Sequence, residues 1–223
     1  MESENQIILI DKPAGMTSFG VVARVRRILS EKFGHKVKVG HTGTLDPFAT
    51  GLLILMSGKR TKDCETFLKL DKEYIATLCL GKTSTTGDPE GVISSPEGTV
   101  SSGLAVAAIK TTLNSFTGKI SQRVPAYSAV KINGKRAYKL AREGKTFETP
   151  VRKIEIYSID LIDYNYPTLK IKCHVSSGTY IRTLAEDIGQ KLGTGAYLTA
   201  LRRTKIGDYD LKTAKTLEDF GIE

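Results

Sequence analysis

Two stretches of this chain, far apart in sequence, alternate apolar and polar residues with a period of two. In the first, Tyr74, Ala76, Leu78 and Leu80 fall on one face; in the second, Leu169, Ile171, Cys173 and Val175 alternate with Lys170, Lys172 and His174. A strand sends successive side chains to opposite sides, so each stretch has one face for a core and one for water. A half-buried strand cannot stand alone. Its apolar face must be covered and its backbone groups paired. The covering elements are legible at helical spacing: Val21, Val22, Val25, Ile28, Leu29 and Phe33, begun by Thr17 or Ser18 and stopped near Gly34; Leu104 to Phe116; and Ile181, Leu184, Ala185, Ile188 and Leu192, stopped at Gly193. Further strands are expected at residues 7–10, 52–57, 119–132 and 152–164, a tight turn at Asn133-Gly134, and short helices at 61–70, 135–142 and 216–220. Residues 83–91 read as a polar loop. Strands and helices mix without regular βα alternation, which excludes a doubly wound fold. The expectation is α+β: one domain over residues 1–223, with a central mixed, largely antiparallel sheet flanked by helices.

Composition narrows the function classes. With 223 residues, 40% of them hydrophobic, the chain has enough apolar surface for a real core. The longest apolar runs, such as Leu52 to Met56, are far too short to span a bilayer, and no basic start precedes a long apolar run. The reading is a soluble, cytoplasmic monomer. Three widely spaced cysteines without a CxxC pair suggest buried thiols rather than a zinc knuckle or a disulfide framework. Lysines and arginines outnumber acids 33 to 24, a formal charge of +9. They gather at Arg24, Arg26 and Arg27; Lys59, Arg60 and Lys62; Lys131 to Arg142; and Arg202, Arg203 and Lys205. Separated basic clusters near glycine-rich turns suit a surface that follows a phosphate backbone.

Residues 40–51, GHTGTLDPFATG, hold three glycines, three threonines, one proline and a single carboxylate, Asp46. Several chemistries compete for it. A metal centre on His35, His41 and Asp46 lacks a further ligand, since His174 lies on the polar face of a strand. Paired-carboxylate hydrolysis needs a second acid, and spacing selects none of Asp11, Asp63 and Asp88. Gly40 to Gly43 is a literal GxxG nucleic-acid clamp, but without the strand and helix order of one; no GxxxxGK[ST] phosphate loop is present. Asp46-Pro47 could simply shape a turn. A lone acid suits attack on an electrophilic carbon, or stabilisation of positive charge there, provided a nearby arginine keeps it ionised. On a base within folded RNA such chemistry needs the base flipped out, something to fill its place, and something to stack on it. His41 and a tyrosine could serve.

GHTGTLDPFATGLL closely resembles the active-site motif of the TruB family of tRNA pseudouridine synthases. IDKPAGMTS, KEYIATLCLG, VPAYSAVKINGKRAYKLAREG, VSSGTYIRTLAEDIGQKLG and AYLTALRRTKIG resemble further family motifs in the family's order, covering nearly the whole chain. The resemblance implies that Asp46 is the catalytic nucleophile and that His41 takes the place of the flipped uridine. Tyr74 would stack on the target base and assist proton removal. Tyr180 and Arg182 come from GTYIRT, with Arg182 pairing to Asp46, and Leu201 would close an apolar wall over the base. The implied substrate is the T-loop uridine of tRNA next to the ribothymidine position. The implied reaction exchanges its N1–C1′ bond for a C5–C1′ bond, with no cofactor and no metal. Read alone, Tyr74 and Leu201 are core residues, Tyr180 is packing, Arg182 is a surface charge and Lys12 belongs to a strand-end turn. The family usually carries an RNA-binding PUA domain after the TLEDF-like segment; its absence from this chain is the expectation. The rival readings are a non-catalytic tRNA-binding or tRNA-folding protein of the same fold, and a metal-dependent RNA hydrolase.

Overall fold

A computed structural model describes residues 3–96 and 103–221. In chain order the elements are β1 (Ile7–Lys12), α1 (Ser18–Phe33), β2 (Val39–His41), β3 (Thr50–Ser57), a 3-10 turn (Gly58–Asp63), α2 (Cys64–Leu68), β4 (Lys72–Leu80), β5 (Thr83–Ser84), β6 (Ile93–Ser94), α3 (Val106–Asn114), β7 (Gly118–Arg123), β8 (Lys131–Ile132), β9 (Lys135–Arg136), α4 (Ala137–Arg142), β10 (Val151–Asn165), β11 (Thr168–Val175), α5 (Ile181–Lys191), β12 (Ala196–Ile206) and β13 (Tyr209–Asp210), followed by 3-10 turns at Leu211–Thr213 and Glu218–Phe220. The chain divides into two compact units, Met1–Ile75 with Leu201–Glu223, and Ala76–Ala200.

The first unit is organised by β3. Along one edge β1 pairs with it antiparallel, from Ile7 opposite Met56 to Lys12 opposite Gly51. Its other edge is divided. β2 pairs antiparallel at the Ser57 end, and β12 pairs parallel at Thr50 and Gly51. Seven of the eight β3 residues are buried, the run expected of a strand covered on both faces. Period two then sorts them. Leu53 and Leu55 join Ile8, Ile10, Val21, Val22, Val25 and Leu29 in one core, whereas Leu52 and Ile54 pack with Ile206 in another. Each such side chain is worth roughly 1.5–3 kcal/mol against exposure. Helix α1 starts where Thr17 accepts a hydrogen bond from the Gly20 amide and ends at left-handed Gly34.

The second unit carries the ladder β12-β4-β11-β10-β7. Ala76, Leu78 and Leu80 point inward on β4, as do Leu169, Ile171, Cys173 and Val175 on β11. The long β10 runs antiparallel to both β11 and β7. Helix α3 packs on β10 and on α5, and α5 on β7. The sheet is mixed and largely antiparallel with helices against it, an α+β architecture as the periodicities require.

Local departures from the expected elements have identifiable causes. The strand expected over 119–132 stops at Arg123, because Pro125 has no amide for a ladder. Asn133 and Gly134 do turn the chain, both with positive φ, but the hairpin they join continues through Lys135 and Arg136, so α4 is shorter than expected. Residues 61–70 divide between a 3-10 turn and α2. Among the described residues, no helix is long and apolar enough to cross a membrane.

Candidate active site

Asp46 lies in the loop between β2 and β3, and that loop is gripped from several directions. Its Leu45 neighbour is held at both ends of its backbone by one hydroxyl: Ser18 Oγ accepts from Leu45 N at 2.8 Å and donates to Leu45 O at 3.0 Å. The Pro47 carbonyl on the other side accepts from Gly15 N at 2.8 Å and from Lys12 Nζ at 3.2 Å. Lys12 is fully buried, and its ammonium also donates to Pro13 O and Met16 O at 2.8 and 2.7 Å. The Asp46 carbonyl closes a turn with Ala49 N, and Thr42 N reaches Ile54 O. Asp46 itself is half-buried. Both residues flanking the acid are therefore fixed by buried groups of other elements, and each bond to a charged donor contributes about 1.5–3 kcal/mol.

Arg203 supplies the deepest anchor. It is 1% exposed. Its Nε donates to Leu52 O at 2.7 Å and its Nη2 to Gly43 O at 3.1 Å. The loop needs glycine at two places for this approach. Gly43 has φ of 141° and lies against the guanidinium; at Gly51, with φ of 104°, a Cβ would sit 2.8 Å from the Arg203 nitrogen and closer still to its carbonyl oxygen. Next to it, Arg202 turns outward to Asp11, Nη2 to Oδ2 at 2.6 Å.

His41 ends β2 at the mouth of the same loop. Its Nδ1 accepts from Gly43 N at 3.3 Å, so the neutral ring carries its proton on Nε2. Burial, and then the Arg203 guanidinium, push the imidazole below its ordinary value. The ring is neutral at pH 7, the form suited to lying among bases. Tyr74 is buried on the inward face of β4, and Leu201 is buried on β12, the strand whose Thr204 hydroxyl donates to Glu73 O. Lys72, two residues before Tyr74, is also buried, donates to Leu68 O and Leu70 O, and is lowered to about 8 by burial and Arg203 against the opposing pull of Asp71.

Tyr180 and Arg182 belong to the second unit. Tyr180 occupies the position before α5, where buried Gln122 grips its backbone: Tyr180 N donates to Gln122 Oε1 at 2.8 Å, and Gln122 Nε2 donates to Tyr180 O at 3.1 Å. Arg182, in the first turn of α5, is 5% exposed rather than on the surface. It donates to Thr86 O at 2.9 Å and Tyr127 O at 2.8 Å, and pairs with Asp88 Oδ2 at 3.3 Å. Asp88 is buried in turn, and its other oxygen accepts from Glu90 N and the Thr86 hydroxyl.

Four of these residues do more than their sequence context shows. Lys12 is at its strand end, as read, but is also a loop anchor. Ser18 was a candidate cap; Thr17 takes that role and leaves Ser18 to hold Leu45. Arg203 sat in a basic cluster, and Asp88 in a polar loop. The signal for Asp88 was present: a Thr-Gly-Asp-Pro-Glu turn offers its own backbone and hydroxyl donors to a carboxylate. Among the described residues, no three His, Cys, Asp or Glu side chains gather as metal ligands.

Comparison with known proteins follows the same arrangement along the chain. Residues 26–181 match the family model described as TruB family pseudouridylate synthase (N terminal domain), and residues 182–222 match tRNA pseudouridylate synthase B C-terminal domain. The chain is similar to tRNA pseudouridine synthase B of Phocaeicola vulgatus, 44% identical over 218 residues that cover 97% of this chain and 92% of that protein. It is 48% identical to tRNA pseudouridine synthase B of Desulfotalea psychrophila, over 97% and 88% of the two chains. A chain in the crystal structure of a Cbf5-Nop10-Gar1 complex superposes with a TM-score of 0.71 at 29% identity, over 96% of this chain. This chain spans about half, 53%, of that one.

Proposed function

Because the chain belongs to the TruB family of pseudouridylate synthases, we propose that it isomerises a uridine of tRNA to pseudouridine, and that its target is the T-loop uridine next to the ribothymidine position. The observation that carries the proposal is the immobilised acid. Leu45, Pro47 and Gly43 are each held by a buried side chain, so the Asp46 carboxylate is presented from a rigid loop. Pre-set geometry of this kind is what attack at a single carbon requires.

In the proposed reaction the uridine leaves the base stack and neutral His41 occupies the vacated place. Tyr74 stacks on the flipped base, beside Leu201 as an apolar wall. The N1–C1′ bond breaks with its electron pair leaving on the base, while Asp46 attacks C1′ or stabilises the charge there. The base turns and C5 bonds to C1′, and where Asp46 has bonded there its O–C1′ bond breaks with the pair returning to the carboxylate; the C5 proton is lost with Tyr74 assisting, and N1 takes up a proton. Atoms and electrons balance without a co-reactant. Arg182 is the proposed counter-charge of Asp46, and Tyr180 a substrate contact; the whole chain serves as one catalytic domain. Burial of Tyr74 and Leu201 supports an apolar wall, and the neutral state of His41 supports its place among bases.

Tritium release tests the proposal. An unmodified tRNA transcript carrying tritium at uridine C5 is incubated with the protein in EDTA. Release into water is expected with wild type and is lost with Asp46→Asn, which still binds tRNA. Tight binding without release by wild type would overturn the enzyme reading in favour of a tRNA-binding protein. Mapping the modified nucleotide then tests the T-loop assignment.

A further inference from the structure

Phe19 is 63% exposed, more than any other large aromatic or leucine side chain that the described surface exposes. Single exposed apolar residues are ordinary, but this one has three features that are not. First, it stands beside the clamp on the catalytic loop. The preceding residue, Ser18, is 2% exposed and holds Leu45 through two hydrogen bonds, and Leu45 precedes Asp46. The backbone of Phe19 is thus fixed one residue from one side of that clamp, and Asp46 one residue from the other. Second, its partner is a cation. Arg26, seven residues on and so on the same helix face, places its guanidinium carbon 6.0 Å from the ring centroid. Arg27 flanks this face, 70% exposed and 4.0 Å from Glu31. Third, the helix carries Arg24, Arg26, Arg27 and Lys32 against the single acid Glu31, in a chain of net charge +9. A protein or lipid partner would have to cover this charge, whereas RNA neutralises it.

We propose that Phe19, backed by Arg26, is a stacking platform for an unpaired base of the substrate RNA, on the flank of the Asp46 loop. This rests on the reading of the chain as an RNA-modifying enzyme. A flipped uridine leaves unpaired neighbours in its loop, and a ring with one open face next to an arginine offers such a base stacking together with attraction for its phosphate. The contact is tolerant of base identity, because every base has a π-face. Its role is to hold the loop of the RNA against the site, so it acts on affinity rather than on the chemical step.

The test uses a synthetic T-arm stem-loop RNA at fixed salt. Phe19→Ala, in the Asp46→Asn background to suppress turnover, is expected to weaken binding roughly five- to 150-fold, the range of one lost base–aromatic stack. In the active background the single-turnover rate at saturating RNA stays within about twofold. Phe19→Trp restores binding. The slope of log Kd against log salt is unchanged for Phe19→Ala but falls for Arg26→Gln, which removes a charge. Unchanged affinity in Phe19→Ala overturns the proposal and leaves the face for some other partner. A thermal midpoint lowered by Phe19→Ala also overturns it, since the ring would then be packing. The two readings fail separately: if wild type forms no pseudouridine, the functional reading falls, while the binding comparison still judges the platform.

Discussion

Two buried arginines hold the two units of this molecule, and they are buried on different terms. Arg182, in the second unit, donates to two backbone carbonyls and also pairs with buried Asp88. Arg203, in the first, makes both its hydrogen bonds to backbone carbonyls, and among the described residues it forms no ion pair. A cation with a buried carboxylate beside it has its field partly offset at a distance. A cation satisfied only by dipoles keeps its field. The neighbours record this: both His41 and Lys72 are pushed downward first by burial and next by Arg203, whereas at Glu186, raised chiefly by burial, the pull of Arg182 is opposed by Asp88. One arginine shares its charge with a carboxylate of its own unit; the other is a lock whose charge no described acid shares, beside the candidate nucleophile's loop.

The largest effect should come from breaking the pair in the second unit. Arg182→Met leaves Asp88 buried and uncompensated, and should cost about 3–5 kcal/mol in a urea titration. Replacing both partners, Arg182→Met with Asp88→Leu, should recover more than half of that loss in stability while activity stays lost. Arg203→Met strands two carbonyls but no carboxylate, so about 1–3 kcal/mol is expected, with no acid whose removal rescues it. Equal losses for Arg182→Met and Arg203→Met would erase the distinction.

Lys72 gives a pH-dependent version. Its folded-state value, about 8, lies below the ordinary 10.5. Between these values the unfolded chain binds more protons than the folded one, so stability rises with pH across the window and the cost of a buried ammonium is present below it. That rise amounts to about 3 kcal/mol at most. Lys72→Met should remove this part of the slope between pH 8 and 10.5. At pH 7 it should change little, since relief of the buried charge offsets two carbonyls left without a donor. Parallel curves for wild type and variant would show that the folded protein does not lower Lys72, by burial or by Arg203.

The fold was largely legible because it rests on local periodicity. The alternation from Tyr74 to Leu80, the helical spacing from Val21 to Phe33 and the Asn133-Gly134 turn each encode their element within a few residues. The centre of the candidate site was legible for the same reason, since glycines, proline and acid sit together in residues 40–51. Its supports were not. Arg203 meets Gly43 from 160 residues away, and Arg182 meets Thr86 from 96. A basic side chain looks the same in sequence whether it ends in water or on a buried carbonyl. Ser18 shows the smaller version of this blindness. Its hydroxyl suits a helix cap, and only the packing of α1 against the loop gives it to Leu45. Ser18→Ala should cost about 1–3 kcal/mol and slow turnover, measured on the same preparation, because Leu45 N loses its acceptor in a buried position.

The smallest expected effect is the most direct test of the unpaired charge. Arg203→Gln keeps an amide that can donate to a loop carbonyl but removes the cation. If the field of Arg203 reaches His41, the imidazole should move upward toward its ordinary value of 6.5, followed by NMR of the ring protons through a pH titration. Burial remains the larger cause, so the shift should be partial. Activity should then fall at a higher pH on the acid side, as a protonated ring fits less well among bases. Arg202→Gln is the control: that guanidinium faces Asp11 across 2.6 Å, and its charge is already balanced. A His41 titration unmoved by Arg203→Gln, or moved equally by Arg202→Gln, would mean that Arg203 differs from Arg182 only as a lock and not as a source of potential.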